Sequence, residues 1–184
     1  MNPETFKTDT TNVELDRLVG LFFDQSSELG SFLEVTSDSL PASYRNLLAH
    51  DHHMTVTVED YHGCAVNVRV LKTRTDGNRY SRKILLNRTS DNQVVQFGIV
   101  RLNTEVLADQ VRQEIQSEQI PLGRVLINHD VLRQVKLLKL YKIEMGTELR
   151  GWFDFHPSHE CFGRTALIYC DGAPAIELLE IVVG

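Results

Sequence analysis

The sequence lacks the motifs and long apolar segments that mark several common protein classes. It contains no Gly-x-Gly-x-x-Gly, no P-loop and no Gly-x-Ser-x-Gly elbow, which argues against dinucleotide cofactors, nucleoside triphosphates and serine hydrolysis. No stretch approaches the length of a membrane span, and the N-terminus lacks a cationic segment followed by an apolar run. We therefore expect a cytoplasmic protein with no membrane partner, whose chemistry or binding needs no cofactor.

Cysteine and positive charge are also scarce. The three cysteines, Cys64, Cys161 and Cys170, are an odd number without paired spacing, as expected of reduced thiols that serve in packing. The formal net charge is -6, so the chain lacks the dense cationic surface that nucleic acid binding requires. Its 184 residues suit a single domain, residues 1–184, that folds without disulfides or metal.

Hydrophobic periodicity predicts an α+β domain built on an antiparallel sheet. Residues 1–50 are predicted to be mainly helical, with an amphipathic helix over 11–23 and a short helix over 43–49. Residues 51–184 are predicted to form the sheet, interrupted by a helix over 104–117. Alternating apolar residues and intervening turn residues predict six or seven strands, over 54–59, 65–72, 80–87, 94–102, 134–144, 164–169 and 175–182. The short turns between them favour antiparallel neighbours.

Arg82 is the most informative charged residue. In a strand over 80–87 it shares a face with Tyr80, Ile84 and Leu86, which places a guanidinium among apolar side chains. A buried arginine is unfavourable by several kcal/mol unless it is paired, and its planar fork suits a carboxylate. Its partner is either an acidic side chain of the protein or a ligand, and an arginine extending from an edge strand to solvent is the structural alternative.

Two glutamates in the last predicted strand are candidates for an acidic group in the same site. Glu177 and Glu180 lie on opposite faces, each among aliphatic residues. Burial disfavours the charged form of a carboxyl group, which suits a general acid or a hydrogen-bond donor. Alternation does not choose between them, and the structural alternative for either one is solvation or pairing with a strand arginine.

The run His50-Asp51-His52-His53 suggests metal binding, but its spacing matches no zinc pattern. We therefore predict no metal, and we interpret these histidines as part of a helix-to-strand junction. Because His52 shares strand parity with Met54, it is a candidate to face a ligand.

Four segments, in matching order, resemble the chorismate lyase (chorismate pyruvate-lyase) family over roughly Leu47 to the C-terminus. They are His53-Met54-Thr55, the run from Tyr80 to Leu86, Pro121-Leu122-Gly123-Arg124, and the hairpin from Gly163-Arg164 to Leu179-Glu180-Ile181. In the family the functional glutamate lies one residue earlier relative to the proline of the hairpin. Matching it to Glu180 needs a one-residue shift, and Glu177 stays a rival.

The resemblance implies a six-stranded antiparallel sheet whose flanking helices form flaps over an internal ligand pocket. It implies conversion of chorismate to 4-hydroxybenzoate and pyruvate, with Arg82 binding the ring carboxylate. Glu180 would hydrogen-bond the ring hydroxyl or assist proton movement. Backbone groups of Met54 and Leu122 would complete the pocket, and Arg164 or Arg124 would hold the enolpyruvyl carboxylate.

Two other functions suit the same pattern. One is a non-catalytic sensor that binds an aromatic carboxylate, since the same fold serves as the effector domain of certain bacterial regulators. The acidic first fifty residues do not resemble a winged helix, which argues against DNA binding by this chain. The other is an enzyme that acts on a different cyclic carboxylate.

Overall fold

The computed structural model describes residues 15–154 and 156–184, and in them an antiparallel sheet lies between two layers of helices. The strands are β1 (Gly30–Val35), β2 (Val66–Asp76), β3 (Arg79–Arg88), β4 (Val94–Asn103), β5 (Arg133–Met145), β6 (Glu160–Cys170) and β7 (Ala173–Val182). The helices are α1 (Leu15–Val19), α2 (Ala42–Leu48), α3 (Met54–His62), α4 (Asp109–Gln116), α5 (Leu122–Asn128) and α6 (Thr147–Trp152). None of the described helices is long and apolar enough to cross a membrane.

The strand order in the sheet is β1-β5-β6-β7-β4-β3-β2, and all neighbours are antiparallel. Two three-stranded units, β2 to β4 and β5 to β7, are joined by pairing of β4 with β7. The turn between β6 and β7 consists of Asp171 and Gly172, which both have positive φ, as a two-residue hairpin with the twist of its strands requires. β7 is the central strand of the sheet, and β6 and β4 lie on either side of it.

Both faces of the sheet are covered by helices. On one face, α1 and α6 pack on odd-numbered residues of β4 and β7, with Leu18, Leu149, Phe97, Ile99 and Leu179 fully buried. On the other face, α2 and α3 cover one half and α4 and α5 cover the other half. Because a strand alternates its side chains between the two faces, this second face receives Arg82, Glu180 and Arg164.

The prediction of an antiparallel sheet with flanking helices is confirmed, but the six-stranded count is wrong, since the described sheet has seven strands. The extra strand is β1, in a region predicted to be mainly helical, and it pairs along the edge of β5. The strand predicted over 54–59 is wrong, because these residues lie in α3. The apolar side of α3 packs on α2, Gly63 ends the helix in the left-handed conformation, and this tertiary packing overrides the β-branched composition of the segment.

The helical predictions also need correction at their ends. The helix predicted over 104–117 begins only at Asp109, because Thr104 lies in a turn where its hydroxyl donates to the Asn78 carbonyl oxygen at 3.0 Å. Pro121 lies at the entry of α5. Proline suits that position because the first residues of a helix have no acceptor for their N–H groups. The first residues of the helix predicted over 11–23, residues 11–14, lie outside the described residues. In the described part, α1 runs from Leu15 and ends at Val19.

Gly30 fixes the start of β1, and its replacement tests the edge of the sheet. Gly30 has a φ of 152°, and a Cβ there would lie 2.4 Å from the Glu144 carbonyl oxygen of β5. We expect Gly30→Ala to lower the free energy of unfolding by about 3 kcal/mol, because strain and a backbone clash act together. Gly151→Ala in α6 meets nothing within 4 Å, and we expect it to stabilise the protein by about 0.5–1 kcal/mol. Urea unfolding measures the change in the free energy of unfolding for both variants. Equal changes of the same sign would contradict the predicted role of Gly30.

Candidate functional site

A cavity lies between the second face of the sheet and the first residues of α3 and α5. Its walls come from β3, β4, β6 and β7 and are mostly aliphatic. Met54 and Leu122 line the side formed by the helices, and Val135 lines it from β5. The polar lining residues are His52, His53, Thr55, Arg82, Gln96, Arg164 and Glu180. The cavity volume is about 40 Å³. This is smaller than the engineered cavity of about 150 Å³ that takes up benzene.

The strand register determines which side chains meet in the cavity. Arg82 lies opposite Val100, and Val100 lies opposite Leu178. Two residues further along, Gly98 lies between Ile84 and Glu180, and Glu180 pairs with Arg164. Gly98 therefore occupies the middle of the cavity floor. A Cβ at Gly98 would lie 3.2 Å from the Ile84 side chain, so glycine lets Ile84 pack closely on β4 at this point.

Arg82 is buried without an acidic partner among the described residues. Only 1% of its surface is exposed, and its Nη1 donates to the Ile115 carbonyl oxygen of α4 at 3.1 Å. Its Nε has no hydrogen-bond partner within the described part of the chain. Burial lowers the pKa of the guanidinium, and Tyr80 and Glu118 oppose that change. An arginine remains protonated even so, which leaves an incompletely satisfied cation at the cavity wall.

Arg164 is also 1% exposed, but its donors are used within the protein. Its Nε donates to Glu180 Oε2 at 2.7 Å. Its two terminal nitrogens donate to three carbonyl oxygens of the segment before α3, those of Leu48, His50 and His52, at 3.3, 2.8 and 3.3 Å. The buried ion pair therefore joins β6, β7 and the loop that carries the histidines.

The N-terminus of α3 lies at the cavity wall, where Met54 and Thr55 are lining residues. The first backbone N–H groups of α3 have no acceptor inside the helix, and the side chain of His53 does not cap them. The positive end of the helix dipole lies at the same place, which favours an anion. Leu122 and Gly123 of α5 close the same wall, and a Cβ at Gly123 would lie 2.9 Å from the Thr55 hydroxyl oxygen.

The histidine run forms a loop that is tied to its surroundings. His50 Nε2 lies 2.7 Å from the Leu47 carbonyl oxygen, and the Asp51 carboxylate accepts from the backbone N–H of Leu137 at 3.3 Å. Arg133 donates to Nε2 of His53, and burial together with Arg133 lowers the pKa of His53 to about 4. His53 is therefore neutral at pH 7. Within the described residues, no three His, Cys, Asp or Glu side chains converge as metal ligands.

Sequence reasoning named two residues that the structure places outside the cavity lining. Glu177 faces the other side of the sheet, where it pairs with Arg17 and, at 3.3 Å, with Arg101. Arg124 points away along α5 and pairs with Glu59. Four other predicted site residues do line the cavity, but in local structures that the sequence did not predict. His52 and Met54 are at a loop and a helix start instead of a strand, Leu122 is in the first turn of α5, and Arg164 is in a buried ion pair.

Gln96, Gly98 and Thr55 are among the lining residues that the sequence did not predict as site residues. Gln96 and Gly98 lie in β4 on the same face as Val100, and strand parity with Arg82 in the neighbouring strand was a usable signal for them. Thr55 had no such signal, because its position depends on α3 being a helix. The site therefore takes an arginine from β3, an amide from β4 and an ion pair from β6 and β7.

The Arg164 and Glu180 pair provides a double-mutant test of how the site is held together. Arg164→Met leaves Glu180 buried without its cation and removes the hydrogen bonds to the loop, so we expect a loss of about 3–5 kcal/mol in the free energy of unfolding. Glu180→Leu leaves Arg164 unpaired and should also destabilise the protein. The double variant should lose less than the sum of the single variants, because neither charge remains unpaired. Additive losses in urea unfolding would show that the pair is not coupled.

Comparisons with known proteins yield matches among solved structures only. No family model matches, and no curated protein matches. Similar structures include a gene product of Staphylococcus aureus (11% identity, 64% of this chain and 82% of that chain, TM-score 0.46). Another is the ligand-binding domain assigned to a GntR-family transcriptional regulator of Bordetella bronchiseptica (12% identity, 64% and 85%, TM-score 0.47). A third is the C-terminal domain of the histidine utilization repressor of Pseudomonas syringae (10% identity, 65% and 92%, TM-score 0.45). At TM-scores below 0.5 these similarities carry no conclusion about family or function.

Proposed function

We propose that this chain binds a small carboxylate with a single ring, and that Arg82 holds the carboxylate. The observation that carries the proposal is the buried Arg82 guanidinium, which lines a cavity and has an unpartnered Nε. An unpaired buried cation is unfavourable, and a ligand carboxylate would supply the missing charge and acceptor oxygens. The first backbone N–H groups of α3 add donors that favour the same anion.

The walls of the cavity support a compact, mostly apolar ligand. Aliphatic residues of β3, β7 and β6, such as Ile84, Leu178 and Ile168, form most of the lining. The volume of about 40 Å³ is too small for a nucleotide or a sugar phosphate, and a single ring would need lining side chains to move apart. A small ring with one charged group suits the walls.

The arrangement of the arginines favours one carboxylate over two. Arg164 already donates to Glu180 and to three carbonyl oxygens, and Arg124 is paired with Glu59 outside the cavity. Neither guanidinium is free to hold a second carboxylate such as the enolpyruvyl group of chorismate. His52 contributes through its carbonyl oxygen, which accepts from Arg164, so its role is to close the wall.

Chorismate cleavage to 4-hydroxybenzoate and pyruvate is a narrower alternative. It is favoured by the presence of the Glu180 carboxylate and Arg82 in one cavity, because cleavage needs a positioned ring carboxylate and a group that assists proton movement. In this alternative Glu180 would act on the ring C4 substituent while Met54 and Leu122 line the pocket. An enzyme for another cyclic carboxylate would use the same two residues.

Replacement of Arg82 tests the binding proposal. We expect the wild-type protein to bind benzoate and 4-hydroxybenzoate in calorimetry, with a matching rise in thermal midpoint. Arg82→Met should weaken both affinities by about 100-fold, because two charge-assisted hydrogen bonds are lost. Its thermal midpoint without ligand should stay equal or rise, since a buried cation without an acidic partner is removed. This separates loss of binding from loss of folding.

The matched control is Arg101→Met. Arg101 lies in β4 on the other face, where it pairs with Glu177, and it does not line the cavity. This variant should bind both ligands as the wild type does. Unchanged affinity in Arg82→Met, or equal losses in the two variants, would refute the assignment of Arg82.

Turnover separates the binding proposal from the lyase alternative. Pyruvate release from chorismate, coupled to lactate dehydrogenase, should stay at the uncatalysed rate if the cavity only binds a monocarboxylate. Release that is abolished by both Arg82→Met and Glu180→Gln would instead establish the lyase. The Arg101→Met variant again serves as the control for folding.

A further inference from the structure

A second polar group without a protein partner lines the same cavity. Gln96 of β4 is 3% exposed, and its Oε1 has no hydrogen-bond partner within the described residues. A buried amide oxygen that accepts no hydrogen bond is unfavourable, and such groups in native proteins usually serve a ligand or hold an ordered water molecule. The cavity therefore has one unpartnered donor, at Arg82, and one unpartnered acceptor, at Gln96.

The register places these two groups toward opposite ends of the cavity floor. Arg82 lies opposite Val100 of β4, and Gln96 lies four residues before Val100 on the same face. Four residues of strand span about 13 Å, so the backbones of the two residues are separated along the strand direction. Gly98 lies between them on the same face. A ring placed between the two groups would have its carboxylate near Arg82 and its opposite edge toward Gln96.

Glu180 adds a second acceptor to the part of the cavity between its middle and Gln96. It is paired with Gly98 across the strands and lines the cavity, and it carries a carboxylate whose Oε2 accepts from Arg164. An amide carbonyl and a carboxylate both accept hydrogen bonds and neither donates them. The part of the cavity away from Arg82 therefore matches a substituent that donates a hydrogen bond, and because Arg164 already neutralises Glu180, a neutral donor suits it better than a cation.

We infer that Gln96 determines ligand specificity by accepting a hydrogen bond from a neutral hydroxyl or amino group on the ring, opposite the carboxylate. The inference rests on the proposed function and narrows its ligand class to hydroxy- and amino-substituted ring carboxylates. An apolar or acceptor-only substituent leaves the Gln96 carbonyl unpaired. Discrimination against such ligands follows, since a site that presents a buried polar group rejects analogues that do not satisfy it.

The test is a series of para-substituted benzoates that vary in the donor while the ring and carboxylate stay fixed. Benzoate, 4-hydroxybenzoate, 4-aminobenzoate, 4-methylbenzoate and 4-methoxybenzoate are titrated into the wild-type protein and into Gln96→Met, a variant of similar size without an amide. The wild type should bind the hydroxy and amino compounds roughly 3- to 10-fold more tightly than the methyl and methoxy compounds, the range expected for one neutral hydrogen bond. Gln96→Met should abolish that preference.

The matched control is Asn87→Met. Asn87 is a buried amide on the neighbouring strand whose Oδ1 likewise has no partner among the described residues, but it donates to the Asn92 carbonyl oxygen at 2.9 Å and does not line the cavity. This variant should keep the preference of the wild type. Without ligand, Gln96→Met should raise the thermal midpoint because an unpartnered amide oxygen is removed, whereas Asn87→Met also loses the hydrogen bond to Asn92 and should raise it less or lower it.

The outcomes separate this inference from the proposed function. If the wild type binds benzoates and Gln96→Met keeps the donor preference, or if 4-methoxybenzoate binds as tightly as 4-hydroxybenzoate, the inference is wrong while the proposed function stands. A lowered thermal midpoint in unliganded Gln96→Met also overturns it, because the amide would then have a structural partner. If none of the five compounds binds the wild type, the proposed function fails and the inference fails with it.

Discussion

The buried ion pair between Arg164 and Glu180 is the interaction on which the candidate site depends. Two charges on adjacent strands of the sheet are desolvated together, and the energy of that desolvation is recovered only because their geometry is close and the remaining donors of Arg164 reach backbone carbonyl oxygens. Those carbonyl oxygens belong to the loop between α2 and α3. The pair therefore places the start of α3 over the sheet face, and with it the wall of the cavity.

Arg82 and Arg164 have the same side chain and are equally buried, yet they differ in their hydrogen-bond partners and so in their roles in the site. Arg164 is satisfied by an acid and by carbonyl oxygens of the protein, whereas Arg82 has one carbonyl partner and an unpartnered Nε. A satisfied buried cation stabilises a particular arrangement of chain segments. An unsatisfied one that faces a cavity creates a preference for an anionic ligand, and the stability lost in the unliganded protein is regained on binding.

Two glycines allow close packing at the cavity walls. Gly98 lets the Ile84 side chain pack on β4, and Gly123 allows α5 to approach Thr55 of α3 closely. The polar groups lie around an apolar space: the cation at Arg82, the amide of Gln96 and the carboxylate of Glu180. This distribution gives the cavity two chemically different ends, which is the basis of the proposed selection among ring carboxylates by their substituents.

The sequence by itself determined the strands β2 to β7 within a few residues, because alternation of apolar residues is a local property that survives folding. It also determined that Arg82 lies among apolar residues on one strand face. Only the tertiary structure decided that 54–62 is a helix, that 30–35 is an edge strand and that Glu180 shares the cavity while Glu177 lies on the other face. These features depend on contacts between segments distant in the chain: packing of α3 on α2, pairing of β1 with β5, and the choice of which sheet face meets which helices. Local patterns carry no information about such contacts, since the same alternation suits either face and the same apolar residues suit either a strand or a buried helix.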